Sequence, residues 1–351
     1  MTKILLNERM MEAAVYGGAV LGGGGGGWIE EGLQIGRLAL EVGQPVLVSD
    51  DEMADYDLLV TVSLVGAPAA KDKFLKPIHY VRALELLSEK VKTPLRGIHT
   101  NENGAGTSVN GWFQAAVTGL PIVDLPCNGR AHPTGTMGSL NLHELPDYVS
   151  HQAAAGGKGD RYVEMSISSS IEKAASMIRK VSVEAGGLVA VARNPVTVAY
   201  ARANGAPGGI SQAIKVGEAL LGSKGEAAIE AVCAALGGRV VIEGEVSEFS
   251  LETTGGFDVG RVTVGSTEMT FWNEYMTLEQ DGKRLATFPD LIMTLDARTA
   301  RPIVTAAMEK GQHVAVIHVP AEKLILSTTM RNEGLLKPIE GVIGKKIVSY
   351  L

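Results

Sequence analysis

Two short clusters hold most of the side chains able to do chemistry. One is His99-Thr100-Asn101-Glu102-Asn103-Gly104-Ala105-Gly106-Thr107-Ser108. The other is Asp124-Leu125-Pro126-Cys127-Asn128-Gly129-Arg130-Ala131-His132-Pro133-Thr134. An N-cap from Thr107 or Ser108 would explain the hydroxyls of the first cluster, but not its imidazole and carboxylate. In the second, a thiol, a guanidinium and an imidazole lie close together in sequence. A cysteine attacks as its thiolate, whose pKa falls beside a cation, and a nucleophile with a base nearby is the pattern of covalent catalysis. Cys127 is therefore a candidate nucleophile, with the role of a small buried hydrophobe as the alternative. Cys233 sits in an apolar helical segment and reads as packing. His132, or else His99, would move protons near neutrality. Asp124 or Glu102 would orient that imidazole or hold a metal, and Arg130 would anchor a carboxylate or carbonyl. His99, His132 and Asp124, with His143 and Glu102, are candidate ligands for a divalent metal such as zinc, although no pair has the tight spacing of H-x-x-x-H.

A third feature is a run of six glycines, Gly22 to Gly27. Glycine is costly inside a helix and suited to a backbone that must reach φ > 0 or approach a ligand closely. The run leads into a helix starting near Trp28, whose free N–H groups and dipole favour an anion or a developing oxyanion. The competing reading is a tight helix crossing. The run contains G-x-G-x-x-G, but no strand precedes it and the acidic pair Asp50-Asp51 comes late, so the dinucleotide reading is weak. Gly24, Gly25, Gly26 and Gly27, with Asn101, Asn128, Arg130, Asn273 and Glu274, are the candidate substrate contacts. The last two interrupt the strand-like run Phe271-Trp272-Asn273-Glu274-Tyr275, where alternation could equally place Asn273 in solvent.

These groups need a frame. Apolar residues recur at helical spacing over Met10–Leu21, Trp28–Leu40, Tyr80–Val91, Ile171–Glu184, Ile210–Leu221 and Glu226–Leu236, with Ser108–Thr118 also helical. Strands are expected at Val46–Val48, Leu58–Val65, Leu95–His99, Ile122–Leu125, Tyr162–Met165 and Leu188–Arg193. Strands alternating with helices predict an α/β domain over 1–236 with a largely parallel or mixed sheet. From Gly237-Gly238 on, β-branched runs dominate: Arg239–Phe249, Gly260–Val264, Met269–Met276, Leu285–Thr287, Leu291–Leu295 and Val314–Val319, with a hairpin signal at Asp281-Gly282. Only Ile303–Lys310 looks helical there, so 237–351 reads as a smaller, mostly-β, barrel-like domain. Both polar clusters follow predicted strands, and ligands gather at the carboxyl ends of parallel strands.

Bulk composition narrows the class. The 351 residues exceed one ordinary core. With 45% hydrophobic and 20% charged residues the chain is globular. A net charge of −7 argues against nucleic acid or an anionic membrane as partner. Two cysteines and no signal-peptide pattern point to a reducing cytoplasm. A symmetric homo-oligomer is the base-rate expectation for such a chain.

The ordered blocks Ala19-Val20-Leu21-Gly22 through Gly27, Gly66-Ala67-Pro68, Leu120-Pro121-Ile122-Val123-Asp124, Asn128-Gly129-Arg130-Ala131-His132-Pro133, Ile210-Ser211-Gln212-Ala213, Asn273-Glu274-Tyr275 and Pro289-Asp290-Leu291-Ile292 resemble the DUF917 family. One branch of that family is named for S-methyl thiohydantoin desulfurase, and members are often associated with hydantoinases. The resemblance implies two domains and hydrolytic chemistry on a small cyclic amide or thioamide. In the named branch, water replaces methanethiol at the ring carbon between two nitrogens. Cys127-Asn128 and Thr134-Gly135 depart from the residues expected at those places. The expectation is thus a hydrolase of a hydantoin- or S-methyl thiohydantoin-like ring. The alternative is a metabolite-binding or accessory subunit with a hydantoinase-type partner.

Overall fold

The computed structural model describes residues 3–67 and 70–351, so Pro68 of the Gly66-Ala67-Pro68 block lies outside the described residues. The first sheet comprises β1 (Lys3–Leu5), β2 (Val46–Val48), β3 (Leu58–Gly66), β4 (Leu95–Thr100), β5 (Ile122–Val123), β6 (Ser150–Gly156), β7 (Val163–Ser169) and β8 (Leu188–Thr197). Their order is β1-β2-β5-β4-β3-β8-β6-β7. The neighbours β2, β5, β4 and β3 run parallel, while β1, β8, β6 and β7 pair antiparallel. The helices are α1 (Glu8–Leu21), α2 (Ile29–Val42), α3 (Pro77–Lys90), α4 (Trp112–Thr118), α5 (Ile171–Glu184), α6 (Val198–Asn204), α7 (Gly209–Leu221), α8 (Glu226–Leu236) and α9 (Glu333–Ile343).

The second sheet is wholly antiparallel. It holds β9 (Arg239–Thr254), β10 (Phe257–Val264), β11 (Thr267–Trp272), β12 (Glu274–Gln280), β13 (Lys283–Thr287), β14 (Leu291–Asp296), β15 (Pro302–Ile303) and β16 (His313–Val319), in the order β13-β12-β11-β10-β9-β16-β14-β15. The molecule is thus an α/β unit with a mixed sheet followed by a mostly-β unit, as the element pattern predicts. Asp281 and Gly282, both at positive φ, close the β12–β13 hairpin.

Local chemistry explains the elements that frame the site. Asn7 caps α1 by accepting a hydrogen bond from the Met10 N–H at 3.0 Å. The α1 and α7 helices cross at backbone contact: a Cβ on Gly17 would lie 1.8 Å from the Ala213 carbonyl oxygen, and one on Gly217 would lie 1.9 Å from that of Ala13. This crossing fixes the direction in which α1 delivers the glycine run.

Several expectations need correction. Residues 108–118 do not form one helix: a 3-10 turn at Thr107–Val109 is followed by Gly111 at φ +102°, and α4 starts at Trp112. Met269–Met276 is not one strand. Asn273, at φ +58°, is the tip of a tight hairpin between β11 and β12, with Trp272 opposite Glu274. Only a 3-10 turn, Thr305–Ala307, occupies the expected helix at 303–310. Four elements lacked a clear sequence signal. The Ala-rich β6 has poor strand propensity; β1 and α6 are short; α9 carries Pro338 within it.

Candidate functional site

The parallel strands β4 and β5 end in the two polar clusters, so both emerge on the same edge of the sheet. The glycine run, leaving α1, passes between that edge and the second sheet. It is tied to both by its own carbonyls. Gly23 accepts from the Tyr275 N–H at 2.8 Å and Gly24 from the Thr305 N–H at 2.9 Å. On the other side, Gly26 accepts from the N–H groups of Gly106 at 2.9 Å and Thr107 at 3.3 Å. The Gly25 Cα faces the Glu274 carboxylate so closely that a Cβ there would lie 1.9 Å from Oε1. The run therefore serves as a backbone seam joining the two units, and its left-handed residues include Gly23, Gly24, Gly26 and Gly27.

A cavity opens beside this seam. Its wall draws on the glycine run (Gly26, Gly27), the first cluster (Asn101, Glu102), the second (His132), the β11–β12 hairpin (Asn273, Glu274) and two arginines, Arg179 and Arg193. Trp28 and Lys73 also line it, with the Lys73 ammonium 5.2 Å from the centroid of the Trp28 ring. Asn273 is set by reciprocal bonds to Asp258: its N–H donates to the Asp258 carbonyl at 2.7 Å, and its Oδ1 accepts from the Asp258 N–H at 2.9 Å. Gly26 and Gly27 bond through their N–H groups to no protein acceptor among the described residues.

The two carboxylates on this wall are both buried. Glu102 Oε2 accepts from the His132 N–H and the Asn101 amide, each at 3.2 Å, and lies 3.2 Å from His132 Nε2. Burial outweighs those bonds and pushes Glu102 up to about 7. Burial, then the charge of Glu102, raises Glu274 well above the ordinary carboxylate range, and Glu274 Oε2 has no partner among the described residues. His132 is held neutral: burial and the nearby charge of Arg193 depress it to about 3. The Arg193 guanidinium donates to Asn101 Oδ1 at 2.5 Å. Arg179 donates to the carbonyls of Gly66 at 3.1 Å and Gly256 at 2.7 Å and stacks on Phe257, so it also bridges the two units.

A buried carboxyl that resists ionisation makes stability depend on pH. The folded pKa of Glu274 is raised, so the native state binds more protons than the unfolded one above the ordinary carboxylate pKa. Its contribution is fully present below that pKa and is lost as pH rises through the folded value. Glu274→Gln is expected to gain ~1–3 kcal/mol over the parent at pH 8–9 and nothing at pH 4, as read by denaturant unfolding at the two pH values.

The other sequence candidates sit elsewhere. His99 lies one layer below the cavity: Nε2 meets Thr61 Oγ1 at 2.9 Å and Nδ1 meets the Leu125 carbonyl at 2.9 Å, with burial lowering its pKa to about 4. Cys127 Sγ lies 3.3 Å from Thr61 Oγ1 and 3.9 Å from His99 Nε2. It is fully buried in an apolar cluster, and burial pushes its thiol up to about 11. A thiol so placed is un-ionised at neutral pH and is not among the residues that line the cavity. Cys127→Ala is accordingly expected to change turnover of a ring substrate by less than about threefold; a loss of 100-fold or more would restore the thiol to the chemistry.

Asp124 caps α7, accepting from the Ile210 N–H at 2.7 Å and the Ser211 N–H at 3.2 Å, and from the Ser211 hydroxyl. Asn128 Oδ1 accepts from the Ser327 N–H at 3.3 Å. Arg130 lies behind the glycine run, donating to the Pro289 carbonyl at 2.9 Å and to that of Asp290, with its guanidinium over the Phe288 ring. Burial lowers Arg130 to about 10. Gly24 and Gly25 face the second sheet.

Both ring nitrogens of His99 and both oxygens of Asp124 are engaged as described, and no group of three His, Cys, Asp or Glu side chains able to hold a metal occurs among the described residues. The residues that sequence reasoning missed are Arg179 and Arg193. Arg193 had a readable signal, a lone cation ending the apolar strand run Leu188–Ala192; Arg179 lies in an amphipathic helix where an arginine is ordinary.

Comparison with known proteins agrees with this architecture. A crystal structure of a protein from Chromobacterium violaceum is similar in fold, with a TM-score of 0.74 at 20% identity over 97% of this chain and 96% of that one. No curated protein sequence matches the chain. Two family models do match: "S-Me-THD-like, N-terminal domain" over residues 9–166 and "S-Me-THD-like, C-terminal domain" over residues 169–333. The second stretch contributes β8 to the first sheet as well as the whole second sheet, so the two matched segments share one core. The chain belongs to the S-Me-THD-like family, an assignment that fits a hydantoin-related enzyme.

Proposed function

We propose that the protein is a hydrolase of a five-membered ring of the hydantoin type, with an S-methyl thiohydantoin as the reference substrate. The observation that carries this reading is the pair of buried carboxyls on one cavity wall, with Glu102 pushed up to about 7 and Glu274 raised well above the ordinary carboxylate range. Two carboxyls pushed to different pKa values supply a base and an acid at the same pH. A neutral ring carbon bonded to two nitrogens needs both: a base to activate water and an acid to protonate the leaving sulfur.

Water adds to the ring carbon as Glu102 takes one of its protons. The C=N electron pair moves to nitrogen, and the negative charge that develops faces Arg193 and the N–H groups of Gly26 and Gly27. Such preorganised donors are each worth ~3 kcal/mol in the transition state. Collapse forms C=O and breaks C–S, and Glu274 protonates the departing methanethiolate. As C=O forms, the added hydroxyl passes its remaining proton to the ring nitrogen. Glu102 then carries the other proton of water and Glu274 is ionised, and transfer of that proton from Glu102 to Glu274 through solvent returns both carboxyls to their starting states. Asn273 and Arg179 would bind the ring's periphery. The test is incubation of the protein with S-methyl thiohydantoins, thiohydantoins and hydantoins, following methanethiol, sulfide and ring opening. Release of methanethiol with formation of the hydantoin is the expected result; binding without turnover across all three classes would overturn the hydrolase reading.

A further inference from the structure

Asn101, Glu102 and His132 meet in a triangle whose geometry constrains where the protons sit. Asn101 Nδ2 lies 3.2 Å from Glu102 Oε2 and 3.2 Å from His132 Nε2, and those two acceptors are themselves 3.2 Å apart. The fourth member decides the orientation of the amide. Arg193 Nη2 lies 2.5 Å from the remaining Asn101 atom. A guanidinium has donors only, so the atom facing it is the carbonyl Oδ1, and the NH₂ group must face Glu102 and His132. Space for this arrangement comes from Gly138, where a Cβ would lie 2.1 Å from Asn101 Oδ1 and 2.9 Å from His132 Cε1.

We propose that Asn101, locked by Arg193, is a positioning residue that makes Nε2 of His132 a hydrogen-bond acceptor and so forces Glu102 and His132 to share a single proton. The consequence follows from counting hydrogens. The two acceptors subtend about 60° at Nδ2, so a single amide hydrogen is bifurcated between them, and the neutral imidazole then carries its proton on Nδ1, which has no hydrogen-bond partner among the described residues. The edge between Oε2 and Nε2 then holds a hydrogen only when Glu102 is protonated. When Glu102 ionises, two lone pairs face each other across that edge, bridged by the amide. The NH₂ group therefore stabilises the carboxylate against its neighbour and sets the pH at which the base becomes available. The charged and titratable groups facing Glu102 from the surrounding elements are His132, Arg130, Arg179, Arg193, Glu274 and Cys127. Replacement of Asn101 leaves all six in place.

This inference rests on the hydrolase reading for its kinetic part only, so the experiment has two arms. In the first, ¹⁵N NMR of the histidine rings, with the His132 signals assigned by their loss in His132→Gln, is recorded between pH 5 and 9 on the full chain without substrate. The expected result is the Nδ1–H tautomer at His132 in the parent protein and its partial or complete loss in Asn101→Asp. An Nε2–H tautomer in the parent would overturn the proposal, whatever the protein's substrate. In the second, the pH dependence of kcat/KM for an S-methyl thiohydantoin is compared between the parent and Asn101→Asp. An Asp at 101 can still face Arg193 but offers no donor to Glu102, and because its charge alone raises the midpoint, Asn101→Leu, which lacks both donor and charge, is measured beside it and must show the same direction of shift. The midpoint is expected to rise by about one pH unit, a loss of about tenfold near pH 7, with the alkaline plateau within about threefold of the parent. A rate lowered equally at every pH, with the midpoint unmoved, would make Asn101 a packing residue and overturn the proposal. Absence of turnover in the parent would defeat the hydrolase reading and leave the NMR arm to decide this one.

Discussion

Glu102→Gln is expected to lower kcat for ring hydrolysis by about 10²–10⁴-fold at pH 8, the range typical for loss of a positioned general base. The substitution is nearly isosteric. A glutamine oxygen can still accept from the His132 N–H and from the Asn101 amide, the two donors that bond Oε2 now. KM should therefore change far less than kcat. The variant should also unfold at higher denaturant than the parent at pH 8, because it no longer carries a buried charge that the fold resists. Lower activity combined with higher stability at high pH separates a functional role from damage to the fold, which would lower both. The check is steady-state kinetics with parallel denaturant unfolding at pH 5 and pH 8.

The second large effect concerns the glycine seam. Gly26 is at φ +79°, and a Cβ added there would lie 2.4 Å from the Cα of Gly104. The obstruction is backbone, so no side-chain rotation relieves it. Gly26→Ala must displace either the run or the 104–107 turn that donates to the Gly26 carbonyl, and both movements deform the cavity wall. The expected cost is ~3 kcal/mol or more, combining left-handed strain with overpacking, together with loss of ring turnover. Gly119 supplies the control. It too has positive φ, +75°, but no atom lies within 4 Å of its Cβ position, so Gly119→Ala should cost only ~1 kcal/mol and leave activity intact. Urea unfolding of both variants distinguishes close approach from conformational preference alone.

Much of the frame was legible in the sequence because its signals are local. Apolar residues at helical spacing over Met10–Leu21 mark α1, and Asp281-Gly282 closes a hairpin. Strand runs followed by polar clusters placed Glu102 and His132 at the edge of a parallel sheet, and the structure brings both to one cavity with Gly26, Gly27, Asn101, Asn273 and Glu274.

What was not legible depends on which way a side chain points after the chain has turned. Cys127 and His99 have reactive types in a suggestive spacing, yet the β4 and β5 ends turn them into the layer beneath the cavity, where burial holds the thiol protonated and the imidazole neutral. Asp124, in the same segment, satisfies the amino end of α7, a helix more than eighty residues away in sequence. Arg130 reaches across to the carbonyls of Pro289 and Asp290 in the second unit, and no spacing rule encodes such a long-range contact. Arg193 reaches the cavity because β8 inserts beside β3, a non-local antiparallel pairing that alternation alone does not reveal.

The central claim is that ionisation of Glu102 switches on the chemistry of this cavity. The direct test is the pH dependence of kcat/KM for methanethiol release from an S-methyl thiohydantoin, measured from pH 5 to 9 for the parent and for Glu102→Gln. The account predicts a parent profile that rises to a plateau with a midpoint near 7, and a variant that is slow and flat across that limb. A variant that keeps the parent's rate and the same rising limb would contradict it.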